Sequence, residues 1–367
     1  MASALNSHGK LRGVEAGRGI AALLVVLVHS TDIFAGPRDF GRPIFDGLFG
    51  FGFAGVDFFF VLSGFIITYV HGPERPLDWR RYAFNRVVRI YPAYWAALLI
   101  LGAILAVSPT HSRMEQTAPA IISSVLLLPA PQYMILGPAW SLCHEIVFYL
   151  VFGCALYWRR LLLPILAVWA GFIALVTAGQ TLGVAPAGAY PWSFLGAISN
   201  AEFFCGIGVA SLVLHRPVTT RPALAAALLA AGVLIFFATG VAMTWGGIAW
   251  NVFVMHALFA TGAALALYGI VRLERAGRLR VPSLLVAMGG ASYSIYLMHV
   301  TIVMLLQQAL RLTGLVKMLP PELTFIAVIA VTVACGMVFS ATVEMRLIAW
   351  LRARRPRPTA RSAGARA

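Results

Sequence analysis

The sequence predicts an all-α, polytopic integral membrane protein: about ten transmembrane helices, with both termini in the cytoplasm. Three observations carry this. Of the 367 residues, 60% are hydrophobic and only 11% charged, whereas a soluble domain carries roughly 25% charged residues. Apolar runs long enough to cross a hydrocarbon core, ~20 helical residues for about 30 Å, recur ten times. The Lys and Arg residues between those runs fall alternately rich and poor, 23 of the 28 on one side, as expected when the rich side is cytoplasmic.

The runs lie at 14–34, 48–71, 88–107, 140–158, 161–179, 191–214, 222–243, 246–271, 284–311 and 322–351. The first carries a basic flank (Lys10, Arg12, Arg18) but no small-residue cleavage pattern, so it reads as a true span rather than a signal peptide. The stretch 118–130 is apolar but too short to cross, and reads as a re-entrant or interfacial piece. The chain divides into a cytoplasmic N-terminal segment (1–13), a membrane domain (14–351) and a basic tail (352–367) suited to anchoring on lipid headgroups. Neither internal repeats nor a long linker is evident. The net charge of +15 punctuates apolar segments instead of forming one water-exposed face, so no nucleic-acid partner is expected. The four cysteines sit inside apolar runs without metal-ligand spacing and read as core residues. No metal centre is expected.

An ionisable residue inside a span costs several kcal/mol and is by default a functional hypothesis. His29, Asp57, Glu145, Glu202, His256 and His299 fall in this class. At 1.5 Å per residue, His29 lies roughly 8 Å from the outer end of the first span, Asp57 about 13 Å deep and Glu145 near 8 Å. A histidine and two carboxylates in one layer suit general acid–base work on a hydroxyl. Glu202 and His256 stand in weaker contexts, where a structural role weighs at least as much as a functional one.

Arg18 and His29 are eleven residues apart, which puts them on one helix face about 16 Å from each other. Arg80, Arg81, Arg86 and Arg89 follow on the inner side. Arg80 and Arg81 read first as positive-inside residues. Arg86 and Arg89, one helical turn apart, can grip one anion, and guanidinium groups suit phosphate. A phosphate clamp inside, a base outside and ~16 Å between them fit a long cofactor arm tipped by a thioester, as in acyl-coenzyme A.

Five segments in order resemble acyltransferase family 3, the ExoZ/OafA-like integral membrane O-acyltransferases: LRGVEAGRGIAALLVVLVHS with Arg18 and His29, FGFAGVDFFFVLSGFIIT, RYAFNRVVRIYPAYW with Arg86-x-x-Arg89, GPAWSLCHEIVFYL with Trp140, Ser141 and Glu145, and GGASYSIYLMH with Tyr293 and His299. The resemblance implies a ten-span enzyme of the bacterial inner membrane that moves an acyl group, by default acetyl from acetyl-CoA, onto a sugar hydroxyl of an exopolysaccharide, O-antigen or other glycoside. It implies functional roles for Arg18, His29, Arg86 and Arg89 and maps Glu145 onto the family's acidic position. Together with the depth reading, the expected site has His29, Asp57 and Glu145 as catalytic residues, Arg18, Arg86 and Arg89 binding the donor, and Trp140, Ser141, Tyr293 and His299 binding the acceptor. Cys143-His144 departs from the family's pattern at the acceptor element. The expected mechanism has His29, oriented by Asp57 or Glu145, activating the acceptor; direct attack and an acyl-histidine intermediate both stay open. The rival readings are a proton-coupled transporter or lipid-linked sugar flippase relaying through His29, Asp57, Glu145 and His299, and a structural subunit of an export complex. Oligomeric state is not legible.

Overall fold

The computed structural model describes residues 11–72, 77–107, 117–130, 134–184, 188–215, 221–246 and 251–354. Lys10, Arg75, Arg113, Arg216 and most of the basic tail lie outside these residues. The described chain is helical: α1 (Arg12–Phe34), α2 (Gly55–His71, extended by a 3-10 turn from Gly50), α3 (Trp79–Val107), α4 (Ala118–Leu126), α5 (Ala139–Tyr157), α6 (Leu162–Thr181), α7 (Ser199–His215), α8 (Pro222–Trp245), α9 (Val252–Arg275), α10 (Ser283–Gly290), α11 (Ser292–Leu312), α12 (Pro321–Phe339) and α13 (Met345–Ala353). Among the described residues, ten helices or helix pairs are long and apolar enough to cross a membrane, and they coincide with the ten predicted runs. A helix satisfies its own backbone polar groups, which makes it the form an apolar run takes in hydrocarbon.

Local chemistry fixes the ends. Pro222 and Pro321 occupy first-turn positions where an amide proton is not needed. The Asn251 side chain caps α9 by accepting from the Phe253 amide at 2.8 Å. The nine-residue α4, roughly 14 Å long, does not cross. Its last carbonyls are taken up by α3 instead: Tyr91 and Trp95 donate to Leu126 and Val125 at 2.9 and 2.8 Å, and Tyr94 donates to Ser124.

Three departures from the apolar runs bear on the site. α3 starts nine residues before its run, because Arg80, Arg81, Arg86 and Arg89 ride on a continuous helix whose basic side chains lower the local hydropathy without breaking the backbone. The run 284–311 is broken at Ala291, between α10 and α11. The last run contains a π-helical turn, Ser340–Glu344, between α12 and α13.

Small residues set the tightest seams. A Cβ built on Gly206 of α7 would lie 1.9 Å from the Val61 carbonyl oxygen of α2, and one on Gly64 would lie 2.0 Å from the Phe203 carbonyl oxygen. The two glycines let α2 and α7 approach backbone to backbone, the usual device where lipid supplies no hydrophobic drive between helices. Gly208, two residues on, faces open space. Gly206→Ala should therefore cost about 1–3 kcal/mol by overpacking, read as a lower melting temperature in detergent, while Gly208→Ala leaves it unchanged. Equal behaviour of the two variants would contradict this seam.

Candidate active site

The arginines predicted to hold an anion converge. Arg18 from α1, Arg81, Arg86 and Arg89 from α3, and Arg352 from α13 line one cavity of about 680 Å³. Ser141, Glu145 and Tyr149 of α5, and Tyr293 and Tyr296 of α11, complete its walls with apolar side chains of α2. Arg86 and Arg89 lie seven and ten residues into α3, about 10 and 15 Å along its axis, so the cationic lining extends from the basic end well into the span.

The arginines are not equivalent. Arg89 Nη1 lies 2.5 Å from Glu344 Oε1, and the Glu344 side chain is completely buried. The π turn aims both Ser340 and Glu344 inward: Ser340 and Ser294 donate to Glu344 Oε2 at 2.9 and 2.6 Å. Extra residues of this kind in helices recur at functional sites. Arg18 pairs with Glu15 at 3.5 Å. Arg86 has no carboxylate partner among the described residues, and its Nε is buried without a hydrogen-bond acceptor. Its guanidinium packs over the Tyr149 ring, 5.2 Å from the centroid. Glu145 is held by Ser63, donating at 2.8 Å, and by Tyr149. The cavity therefore presents an excess of positive charge, and Arg86 is one of the lining arginines with no carboxylate in ion-pair contact among the described residues.

His29 lies at the other end. Its Nδ1 is 2.9 Å from the Val25 carbonyl oxygen, which can only accept, so Nδ1 carries the proton and Nε2 is the free base. His299 Nε2 sits 3.4 Å from the same Nδ1, and His299 Nδ1 donates to the Tyr296 carbonyl at 2.6 Å. The two imidazoles meet edge to face with centroids 4.9 Å apart. His29 does not line the arginine cavity. Tyr296 closes that cavity's far wall, its ring 5.8 Å from the His299 ring, and its hydroxyl is bound to Ser141 Oγ at 2.7 Å and to the Pro138 carbonyl.

The structure does not bring His29, Asp57 and Glu145 together as expected. Depth along a helix is only one coordinate. Asp57 turns away to His256 at 2.6 Å, Glu145 faces the arginine cavity, and the group beside His29 is His299. Ser141 and Tyr293 line the arginine cavity, with Tyr293 donating to the Ile90 carbonyl at 2.8 Å. Trp140 points elsewhere, into a second, largely apolar cavity of about 590 Å³ shared with Cys143, His144, Met134 and Met304. Glu344 went unread, although an ionisable residue inside the last apolar run is the same signal that marked the others.

A family model described as an acyltransferase domain matches residues 11–341. The chain belongs to this acyltransferase family. Among curated proteins, the exopolysaccharide production protein ExoZ of Rhizobium meliloti (strain 1021) is 30% identical over 319 residues, 84% of this chain and 93% of the relative. Protein 2 in the picA locus of Rhizobium radiobacter is 29% identical over 152 residues, covering 35% of this chain and 74% of that protein. No solved structure matches. As an acyltransferase with ten apolar helices, the protein is a multi-pass membrane enzyme, which sets the transporter and export-subunit readings aside.

Arg86 and Arg89 should separate in their mutants. Arg86→Ala removes a cation that has no carboxylate in ion-pair contact among the described residues, so the protein stays folded. Glu344→Ala strands Arg89 and should destabilise by roughly 3–5 kcal/mol, the cost of breaking a buried pair from one side. Thermal unfolding in detergent checks both; a stable Glu344→Ala protein would contradict the pairing.

Proposed function

We propose that the enzyme transfers an acyl group, acetyl by default, from acyl-CoA bound at the basic, cytoplasmic end to a hydroxyl of an exopolysaccharide, O-antigen or related glycoside at the far end. The observation that carries this reading is the arginine-lined cavity whose far wall, Tyr296, stands one ring away from the His29–His299 pair. The positive lining suits the phosphates of coenzyme A, with Arg86, Arg18 and Arg89 as the donor-binding groups. The cytoplasmic assignment of that end follows from the Lys and Arg alternation, and the saccharide acceptor from the name of the ExoZ relative.

In the proposed reaction the acceptor hydroxyl gives its proton to His29 Nε2 as its oxygen attacks the thioester carbonyl. The C–S bond then breaks, the thiolate leaves with the proton returned by the imidazolium, and ester and free CoA result. Val25 and His299 orient His29, the task expected of Asp57 or Glu145. Glu145 instead lines the same cavity as Arg86, where it shapes the electrostatics, and Tyr296 must move for the acyl group to meet His29. Ser141 and Tyr293 border the arm of the donor, and Trp140 borders the second cavity, where an acceptor arriving from the far side would lie.

With purified protein, labelled acetyl-CoA and a glycan acceptor, His29→Ala should lower transfer by about 10²–10⁴-fold, the usual contribution of a general base, while CoA binding persists. Arg86→Ala should weaken CoA binding by roughly tenfold or more, as expected for a lost hydrogen bond to a charged group. Transfer at the wild-type rate by His29→Ala, or unchanged CoA affinity in Arg86→Ala, would contradict the corresponding assignment.

A further inference from the structure

A second group of buried ionisable side chains lies apart from the arginine cavity. Asp57 of α2, Glu202 of α7 and His256 of α9 meet with His256 Nδ1 2.6 Å from Asp57 Oδ1 and 2.7 Å from Glu202 Oε1. The carboxylates are 3% and 2% exposed. None of the three lines the arginine cavity or the apolar one, and the proposed transfer reaction uses none of them.

One Nδ1–H cannot satisfy two carboxylates well, and the second oxygen of Glu202, Oε2, is buried with no hydrogen-bond partner. Among the described residues no Lys or Arg pairs with either carboxylate; their ion-pair partner is His256. With both carboxylates ionised, even a protonated imidazole would leave one net negative charge in a medium that strongly penalises it. A divalent cation bound by two carboxylates and a neutral imidazole leaves none. One nitrogen and two oxygens form a donor set for zinc or manganese rather than for a soft ion.

The three ligand atoms lie within 4.8 Å of one another. Ligands about 2.0–2.2 Å from a tetrahedral zinc are roughly 3.3–3.6 Å apart, so small side-chain rotations open the two shorter separations to coordination distance. The His256 side chain is 19% exposed and stands on the fifth residue of α9, near that helix's far end.

We propose that Asp57, Glu202 and His256 bind one divalent transition-metal ion, zinc or manganese, which ties together the far ends of α2, α7 and α9. The site is independent of the proposed acyl transfer. The test uses full-length protein in detergent, purified through a tag without histidines, stripped with chelator and titrated with Co²⁺, Zn²⁺ and Mn²⁺. The expected result is a visible Co²⁺ ligand-field spectrum saturating near one ion per chain and a higher melting temperature with Zn²⁺ or Mn²⁺. Glu202→Gln and His256→Ala should each lose the spectrum and the shift. Should either variant fail to fold, the stripped wild-type titration decides alone. No Co²⁺ spectrum and an unmoved melting temperature in the wild type would overturn the site in favour of a proton shared between the carboxylates, and equal metal binding by folded variants would overturn it as adventitious.

Discussion

The constraint on which this molecule turns is the cost of a guanidinium inside a bilayer. Arg89 meets it with Glu344, a completely buried carboxylate that two serines also hold. That pair ties α3 to the π turn following α12, and Ser294 extends the tie to α11. Ser340 and Glu344, four residues apart, share one helix face, and in the π turn that face meets Arg89 and Ser294. Arg86 has no such carboxylate and rests against Tyr149, so the cavity keeps a cation available to an anionic guest. The arginine paired with a carboxylate and the one without sit one helical turn apart on the same helix.

The opposite end follows a different logic. His29 and His299 have few partners, and those they have fix tautomers: backbone carbonyls hold both Nδ1 protons, which leaves His29 Nε2 as the available base. Between this pair and the arginines stands Tyr296, anchored to Ser141 and Pro138. A wall made of one side chain separates the arginine cavity from the His29–His299 pair. Keeping the thioester from the base until an acceptor arrives would limit its loss to water.

The spans were legible because hydropathy reads burial in lipid directly. The early start of α3 was not, because the four arginines of its first turns depress a running average of hydropathy. The break at Ala291 hides within an unbroken apolar run. At the site, helical spacing placed Arg18 and His29 on one face and Arg86 beside Arg89, since both relations lie within a single helix. It failed for His29, Asp57 and Glu145, which sit on different helices: rise per residue gives a height, and only packing between helices gives a bearing. Gly64 and Gly206, which lock α2 to α7, determine that bearing for Asp57 and turn it toward Glu202 and His256.

The most direct test is an experimental structure of the enzyme with coenzyme A bound. The expected result is phosphate density within hydrogen-bond reach of Arg86, with the pantetheine arm running past Ser141 and Tyr293 and the sulfur ending at Tyr296. Coenzyme A seated outside the arginine cavity, or its thiol pointing away from the His29–His299 pair, would contradict it.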